Sequence, residues 1–252
     1  MASAAIESVN NAIYSMLGER WYAAQDDPIA LLRAESRLRT PWIEAQLSQM
    51  FPARRCKVLD VGCGAGFLTN ALAKQGHAVT GLDASSQALA IAAQHDQSST
   101  VRYELGDAER LPYDDASFDA VCAMDLLEHV ERPRAVLREL ARVLAPGGLC
   151  FFHTFNRTFL SWLIVIKGVE LFVKNTPDKM HVLRLFLRPD EVTTWLRAAD
   201  VDTIELHGSR PVLNGAFFRM LATGRVSDAF AFRFTNSTLL GYTGCAKKRD
   251  LQ

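Results

Sequence analysis

Apolar residues recur with two different periods along the chain, and the change of period marks out its elements. Val58, Leu59 and Val61 form a short apolar run leading into glycines, the pattern of a strand buried on both faces of a parallel sheet. Similar runs occupy residues 79–82, 101–105, 118–124, 149–155, 201–206 and 239–246. Between them, apolar positions fall at helical spacing: from Phe67 onward, over 85–94 with Ser85 or Ser86 as N-cap, over 134–144 up to Pro146-Gly147-Gly148, and over 191–198 after Pro189. This alternation predicts a doubly wound α/β sheet of seven strands, with ligands bound outside the carboxyl ends of the strands. Ahead of it, Ile6, Val9, Ile13 and Leu17 predict one helix. Leu31, Leu32, Leu38, Trp42, Ile43 and Leu47 predict a second, beginning near Pro28 after the Asp26-Asp27 break. Residues 1–55 are therefore expected to form a helical lid on a domain spanning 56–252.

Two stretches, 157–188 and 209–236, interrupt this rhythm and read as insertions facing substrate or membrane. Residues 159–173 are rich in large apolar side chains but carry Lys167 and Glu170, and fall short of the ~20 apolar residues of a membrane span. Trp162, flanked by Arg157 and Lys174, suits a helix lying at a headgroup boundary; a buried helix is the other reading. Phe217, Phe218, Phe230, Phe232 and Phe234 in the second insertion form either local core or the wall of an apolar substrate pocket.

Charge and cysteine content narrow the class. Net charge is zero, so no global field draws the chain to nucleic acid or anionic lipid. The one dense basic run, Lys247-Lys248-Arg249, reads as a solvated tail. The five cysteines, Cys56, Cys63, Cys122, Cys150 and Cys245, make no CxxC pair and sit mostly in strand-like runs, as buried reduced thiols of a cytoplasmic protein do. The N-terminus lacks the basic-then-apolar signature of a secretory signal.

The chemistry begins at the first strand. Gly62, Gly64 and Gly66 turn the chain into the next helix, letting a small molecule approach bare backbone N–H groups. A dinucleotide fingerprint would need a glycine where Phe67 stands, which argues against a nicotinamide dehydrogenase. Asp60, Asp83 and Asp107 arrive in turn at the ends of three strands: Asp83 near the spacing of a ribose-binding carboxylate, Asp107 placed to accept from an adenine amine. With this glycine spacing, residues 58–156 resemble the class I S-adenosylmethionine (SAM) methyltransferases, a Rossmann-like fold. The resemblance implies that Gly62, Gly64 and Gly66 line the methionine part of SAM, Asp83 the ribose and Asp107 the adenine. The Asn/Asp-Pro-Pro-Tyr motif of base-methylating enzymes is absent after the fourth strand.

In the run Met124-Asp125-Leu126-Leu127-Glu128-His129, helical spacing would put Asp125, Glu128 and His129 on one face. Two carboxylates and an imidazole suit Mg²⁺ or Mn²⁺, with Zn²⁺ or Fe²⁺ admitted by the imidazole; alternatively, Glu128-His129 merely caps the helix near Pro133. The wider pattern resembles the ubiquinone-biosynthesis O-methyltransferases, which methylate polyprenylated catechols. It includes Thr154, Asn156 and Arg157, then Ser161-Trp162-Leu163, then His181 and Phe186 with Pro189. That resemblance implies a divalent cation on Asp125, Glu128 and His129, and cofactor contacts from Arg39 and Met124. It also implies peripheral membrane contact through 157–174 at the inner face of the membrane. Since a phenol titrates near ~10, either metal coordination or His129 as catalytic base would generate the phenolate, and a quinone-biosynthesis complex is an expected partner. The similarity covers roughly residues 20–206; Arg37 stands where the family has proline, Val182 where it has an acid, and 209–246 does not match. A metal-independent methyltransferase of another small apolar metabolite and a non-catalytic SAM-binding module are the alternatives.

Overall fold

The computed structural model describes residues 9–52 and 54–250. Ten helices among these residues are α1 (Ala12–Met16), α2 (Arg20–Ala23), α3 (Ile29–Met50), α4 (Phe67–Lys74), α5 (Ser86–Gln94), α6 (Pro133–Val143), α7 (Phe159–Ser161), α8 (Val169–Phe172), α9 (Pro189–Arg197) and α10 (Gly215–Thr223). The strands are β1 (Lys57–Val61), β2 (Ala78–Asp83), β3 (Arg102–Leu105), β4 (Phe118–Met124), β5 (Leu144–Phe155), β6 (Val201–Pro211), β7 (Phe232–Thr235) and β8 (Gly241–Lys248). They form one sheet in the order β3-β2-β1-β4-β5-β8-β6-β7. β1 to β5 pair in parallel, whereas β8 runs antiparallel between β5 and β6. All seven expected runs are strands in this doubly wound sheet. One strand more, β7, comes from the 209–236 insertion and hairpins onto β6, which continues to Pro211 instead of ending at Leu206.

Both faces of the central strands are covered, which is why their sequences read as continuous apolar runs. On one face, Leu59, Val61 and Val121 pack with Leu137 and Leu140 of α6 and Val192 and Leu196 of α9. On the other, Val58, Cys122 and Phe151 meet Ile43 and Leu47 of α3 and Leu68 and Leu72 of α4. The five cysteines are buried and unpaired with one another; burial pushes the Cys150 thiol up to about 12.

The N-terminal region departs from the sequence pattern. Ile6 lies outside the described residues, and Val9 precedes the first helical turn. The single expected helix is instead α1 and α2, separated where Gly18 takes a left-handed conformation at φ +50°. In α3, Glu35, Arg39, Ile43 and Leu47 fall at four-residue spacing on the buried face, so two of its seven buried residues are charged. Residues 159–172 form one continuous helical segment in which Trp162–Gly168 is a π turn between α7 and α8. No helix of the described residues is long and apolar enough to cross a membrane.

Gly244 of β8 lies opposite Phe152 of β5, and a Cβ there would stand 2.2 Å from Phe152 Cζ. The ring is fully buried and cannot yield. Gly244→Ala is expected to lower stability by about 1–3 kcal/mol through overpacking, read as a reduced urea midpoint at unchanged slope.

Candidate active site

The turn after β1 carries Gly62, Gly64 and Gly66 at φ +71°, +52° and +80°, a region that side chains rarely enter. Their surroundings separate their roles. A Cβ on Gly64 would meet the Trp21 ring at 3.0 Å, and one on Gly62 would meet Leu126 at 2.9 Å. Gly66 is the N-cap of α4 and packs against Ala92 and Tyr103, away from the cleft that Gly62 and Gly64 line. Asp83 stands at the end of β2, its Oδ2 accepting from the Gly64 N–H at 2.8 Å and its Oδ1 from the Ser85 N–H at 2.8 Å. Burial raises its pKa against these donors. Asp107 lines the same cleft and accepts from the Glu109 N–H at 2.9 Å; Met124, at the tip of β4, also faces it. Asp60 lies beneath the turn, accepting from the Thr69 hydroxyl at 2.6 Å.

After Met124 the chain does not continue as a regular helix. Asp125 adopts φ +57°, and only Leu127–His129 make a single 3-10 turn. The expected sharing of one helical face by Asp125, Glu128 and His129 is therefore not what forms. Asp125 turns toward α3, where Arg39 donates to its two oxygens at 2.9 and 2.5 Å, and toward His153 of β5, whose Nδ1 lies 2.6 Å from Oδ1. Burial would raise the Asp125 pKa, but Arg39 and His153 together hold it well below the usual range. Arg39, expected at the cofactor's carboxylate, lines the cleft with its guanidinium shared between Asp125 and Glu35, the latter at 3.4 Å. Glu128 and His129 instead group with His181: their potential ligand atoms all lie within 4.8 Å of one another. Glu128 is fully buried, and neither of its carboxylate oxygens has a hydrogen-bond partner. Burial pushes its pKa up, and Asp125 adds to the rise.

Three residues that the sequence did not single out shape the surroundings of His129. The Asn11 amide N–H donates to the His129 carbonyl at 2.8 Å, which turns Asn11 Oδ1 toward His129 Nδ1 at 3.2 Å. Nδ1 therefore carries the proton, and Nε2 is the acceptor facing the Tyr14 hydroxyl at 3.2 Å. Burial lowers the His129 pKa to about 4, so the ring is neutral. Trp21 stacks on Tyr14 and covers Gly64, while the neighbouring Tyr22 donates to the Ala65 carbonyl at 2.8 Å. His153, the fourth omission, did leave a signal: an ionisable side chain in the apolar run of the fifth strand. Among the family-like positions, Asn156 donates to the Thr238 carbonyl at 2.8 Å and Arg157 pairs with Glu191 at 2.5 Å, ties that secure the loop after β5.

Arg39, Asp83, Asp107, Asp125, His129 and His181 open onto one cavity of about 970 Å³. At the strand ends it is lined by the glycine turn, Asp83, Asp107, Arg39 and His129; at the far end by Leu163, Phe172, Phe217, Met220, Phe230 and Phe232.

A family model described as a methyltransferase domain matches residues 59–152. A ubiquinone biosynthesis O-methyltransferase of Coxiella burnetii is 36% identical over 211 residues, spanning 80% of this chain and 87% of that protein. One of the same name from Hahella chejuensis is 37% identical over 195 residues, spanning 76% and 80%. The chain belongs to the ubiquinone-biosynthesis O-methyltransferase family of class I SAM-dependent methyltransferases. Solved structures agree on the methyltransferase fold. A SAM-dependent methyltransferase of Thermotoga maritima superposes with a TM-score of 0.61 at 17% identity, over 94% of this chain and 99% of that one. The magnesium protoporphyrin IX methyltransferase of Synechocystis does so with 0.59 at 18%, over 85% and 84%.

In this methyltransferase Asp60, beneath the turn, has its pKa raised by burial to about 7. An exposed aspartate titrates near ~3.9, so the folded chain holds this proton to higher pH than the unfolded one. Its contribution to stability is complete below about pH 4 and is withdrawn as pH rises through about 7. Asp60→Asn stays neutral throughout. The parent is expected to lose stability relative to this variant between those limits, in urea titrations of the cofactor-free chain.

Proposed function

We propose that this methyltransferase moves the methyl group of SAM to a phenolic or catechol hydroxyl of a polyprenylated quinone precursor. The observation that carries the reading is the single cavity, which joins a cofactor-type turn to a buried imidazole and then to an apolar chamber. The names of the relatives, at 36% and 37% identity, point to the same substrate class.

SAM, when bound, supplies an electrophilic methyl carbon on a sulfonium. Gly62 and Gly64 offer it exposed backbone, Asp83 a two-oxygen acceptor for the ribose, Asp107 an acceptor for the adenine amine, and Met124 apolar contact. Arg39 reaches the methionine carboxylate only by sharing a guanidinium that already serves two carboxylates. Asp83 is arranged similarly, its oxygens being satisfied by backbone N–H groups until hydroxyls compete for them.

A phenol titrates near ~10, so the acceptor must lose its proton at the site. His129 can take it: Nδ1 is committed to Asn11, and Nε2 accepts from a phenolic hydroxyl already, that of Tyr14. With SAM bound, its methyl group would pass to the acceptor oxygen once that oxygen has lost its proton, and the imidazole, whose charged form burial disfavours, would hand the proton on to solvent. The family also implies a divalent cation, and the unpartnered oxygens of Glu128 beside His129 fit that expectation. Glu128 and His129 would hold it, and it would lower the acceptor's pKa. His129 is required as base or as ligand. His129→Ala is expected to keep SAM affinity within about threefold by calorimetry and to lose at least about 100-fold in turnover; turnover equal to the parent's would exclude both roles.

The far chamber supports an apolar tail on the acceptor. Phe217 and Met220 of α10, with Phe230 and Phe232, form its wall, and Leu163, Ile164, Leu171 and Phe172 are both cavity-lining and exposed at its mouth. With Phe159, 73% exposed, they give the 159–172 segment an apolar outer face suited to a lipid surface. Met220→Trp is expected to lower kcat/KM about tenfold for a long-tailed catechol while leaving a tail-less one within twofold, as a one-side-chain obstruction of an apolar pocket should.

A further inference from the structure

We propose that Arg37 is a positioning residue for acceptor selection: it ties the backbone of Phe230 to α3 and so fixes the wall against which the acceptor's tail packs. The inference rests on the reading that the far chamber takes an apolar tail, and it concerns what gives that chamber its shape.

Two departures from the family-like sequence meet here. Arg37 stands where the family has proline, and residues 209–246 do not match it. In the folded chain the two are joined across 191 and 193 positions: the Arg37 guanidinium donates to the Asp228 carbonyl at 3.2 Å and to the Phe230 carbonyl at 3.0 Å. Proline brings no donor of any kind, so a chain with proline at this position lacks both bonds.

The stretch that Arg37 holds, residues 224–231 between α10 and β7, has no helix or strand of its own. Towards its start the Val226 N–H donates to the Gln25 carbonyl at 2.6 Å, and after it β7 pairs with β6. Between these anchors the carbonyls alternate in partner. Those of Ala229 and Ala231 accept from the Asn214 side-chain amide at 3.4 Å and the Val212 N–H at 2.8 Å, whereas those of Asp228 and Phe230 accept from Arg37. The Phe230 ring is buried with Ala30 and Ala34 of α3, Val173, Met220 and Val226, and it lines the cavity. On the α3 side that contact consists of two methyl groups, and apolar packing on them has no direction of its own. The hydrogen bonds are directional, and they set where along α3 the ring sits.

Arg37 is itself exposed and adds nothing to the core. One turn earlier, Arg33 donates to the Trp21 carbonyl at 2.8 Å and to that of Ala24. Successive arginines of α3 therefore hold the two sides of the cleft separately, Arg33 the segment over the glycine turn and Arg37 the tail wall. Losing Arg37 frees the tail wall and leaves the cofactor side in place. A wall that the tail must order for itself weakens binding, and only acceptors long enough to reach it are affected.

The test is steady-state kinetics of the full chain with catechols carrying no tail, one isoprene unit or four, with SAM affinity by calorimetry as the control for the cofactor side. Arg37→Met keeps an unbranched stem and a similar helix propensity while removing the donors. It is expected to raise KM for the four-unit catechol about fivefold to tenfold, the cost of ordering one or two side chains on binding, with kcat within about twofold. KM for the tail-less catechol and SAM affinity should each stay within about twofold, since neither ligand reaches the wall. Because the effect runs through Phe230, it should shrink to within about twofold in a Phe230→Leu background, whereas independent effects would multiply. If Phe230→Leu fails to fold, hydrogen exchange decides: in Arg37→Met it should rise in the 226–232 peptide and fall again when the four-unit catechol binds, with the 58–66 peptide unchanged. An equal rise in KM for the tail-less catechol, effects that multiply, or unchanged exchange at 226–232 would each overturn the inference. A tail-dependent parent matched by Arg37→Met defeats this inference alone. A parent that turns over none of the three catechols, or whose KM ignores the tail, defeats the chamber reading and this inference with it.

Discussion

The active end of the sheet hangs on one buried charge pair, Arg39 with Asp125. Glu35 flanks the guanidinium, the Ser209 hydroxyl donates to Glu35 Oε1 at 2.8 Å, and His153 closes the other side of Asp125. Four elements are tied by these contacts: α3 and the C-terminal ends of β4, β5 and β6. Removing one partner from such a pair leaves an uncompensated charge at a cost of about 3–5 kcal/mol, so the network holds its geometry firmly. With Asp125 fixed in a left-handed conformation, Leu126 is set against Gly62, and the following 3-10 turn directs Glu128 and His129 toward His181. Cofactor turn and acceptor end are both positioned from this one residue.

A second connection crosses the cleft above the sheet. The Tyr14 ring stacks on Trp21 at 5.8 Å between centroids and meets His129 edge-on at 5.3 Å. Trp21 in turn lies on Gly64. An aromatic ladder thus runs from the cofactor turn to the imidazole, built from a segment whose helices are too short to be stable alone. Packing against the turn is what orders that segment, and the segment is what sets the His129 tautomer. The two halves of the site are joined through side chains that come from outside the sheet.

How much of this could be read from the sequence depended on whether the cause was local. The core strands, the glycine turn and Asp83 were legible because period and spacing alone determine them. The direction of Asp125 was not, because a non-glycine residue with positive φ has no sequence signature when long-range pairing enforces it. The same limit hid the charged stripe of α3. Glu35 and Arg39 occupy positions that periodicity would give to apolar residues, while Leu31, Leu32, Leu38 and Trp42, on which the helix was predicted, are only partly buried. β7 was missed because its four residues form a strand only through the partner supplied by β6. The break at Gly18 was not read, because the helical spacing of Ile13 and Leu17 ran up to it.

The distribution of polarity within the cavity explains why so few residues suffice for the proposed chemistry. Carboxylates, guanidinium and imidazoles are gathered at the strand ends; apart from Lys167, the chamber beyond them is walled mainly by Leu, Ile, Met, Phe and Val side chains. An acceptor with one hydroxyl-bearing ring and one greasy tail has a single favourable orientation in such a gradient. Burying the tail gains roughly 25 cal/mol per Å² and places no demand on the ring except that it face the polar end. The tail thereby supplies the binding energy and the ring is delivered to His129, so most of the rate can come from placement of the oxygen against the methyl carbon. The helical segment 159–172 serves both ends of that process, since Leu163, Ile164, Leu171 and Phe172 line the mouth of the chamber while Phe159 is exposed outside it. A π turn in its middle lets one short segment present apolar side chains in both directions, which regular α-helical spacing would have confined to one stripe.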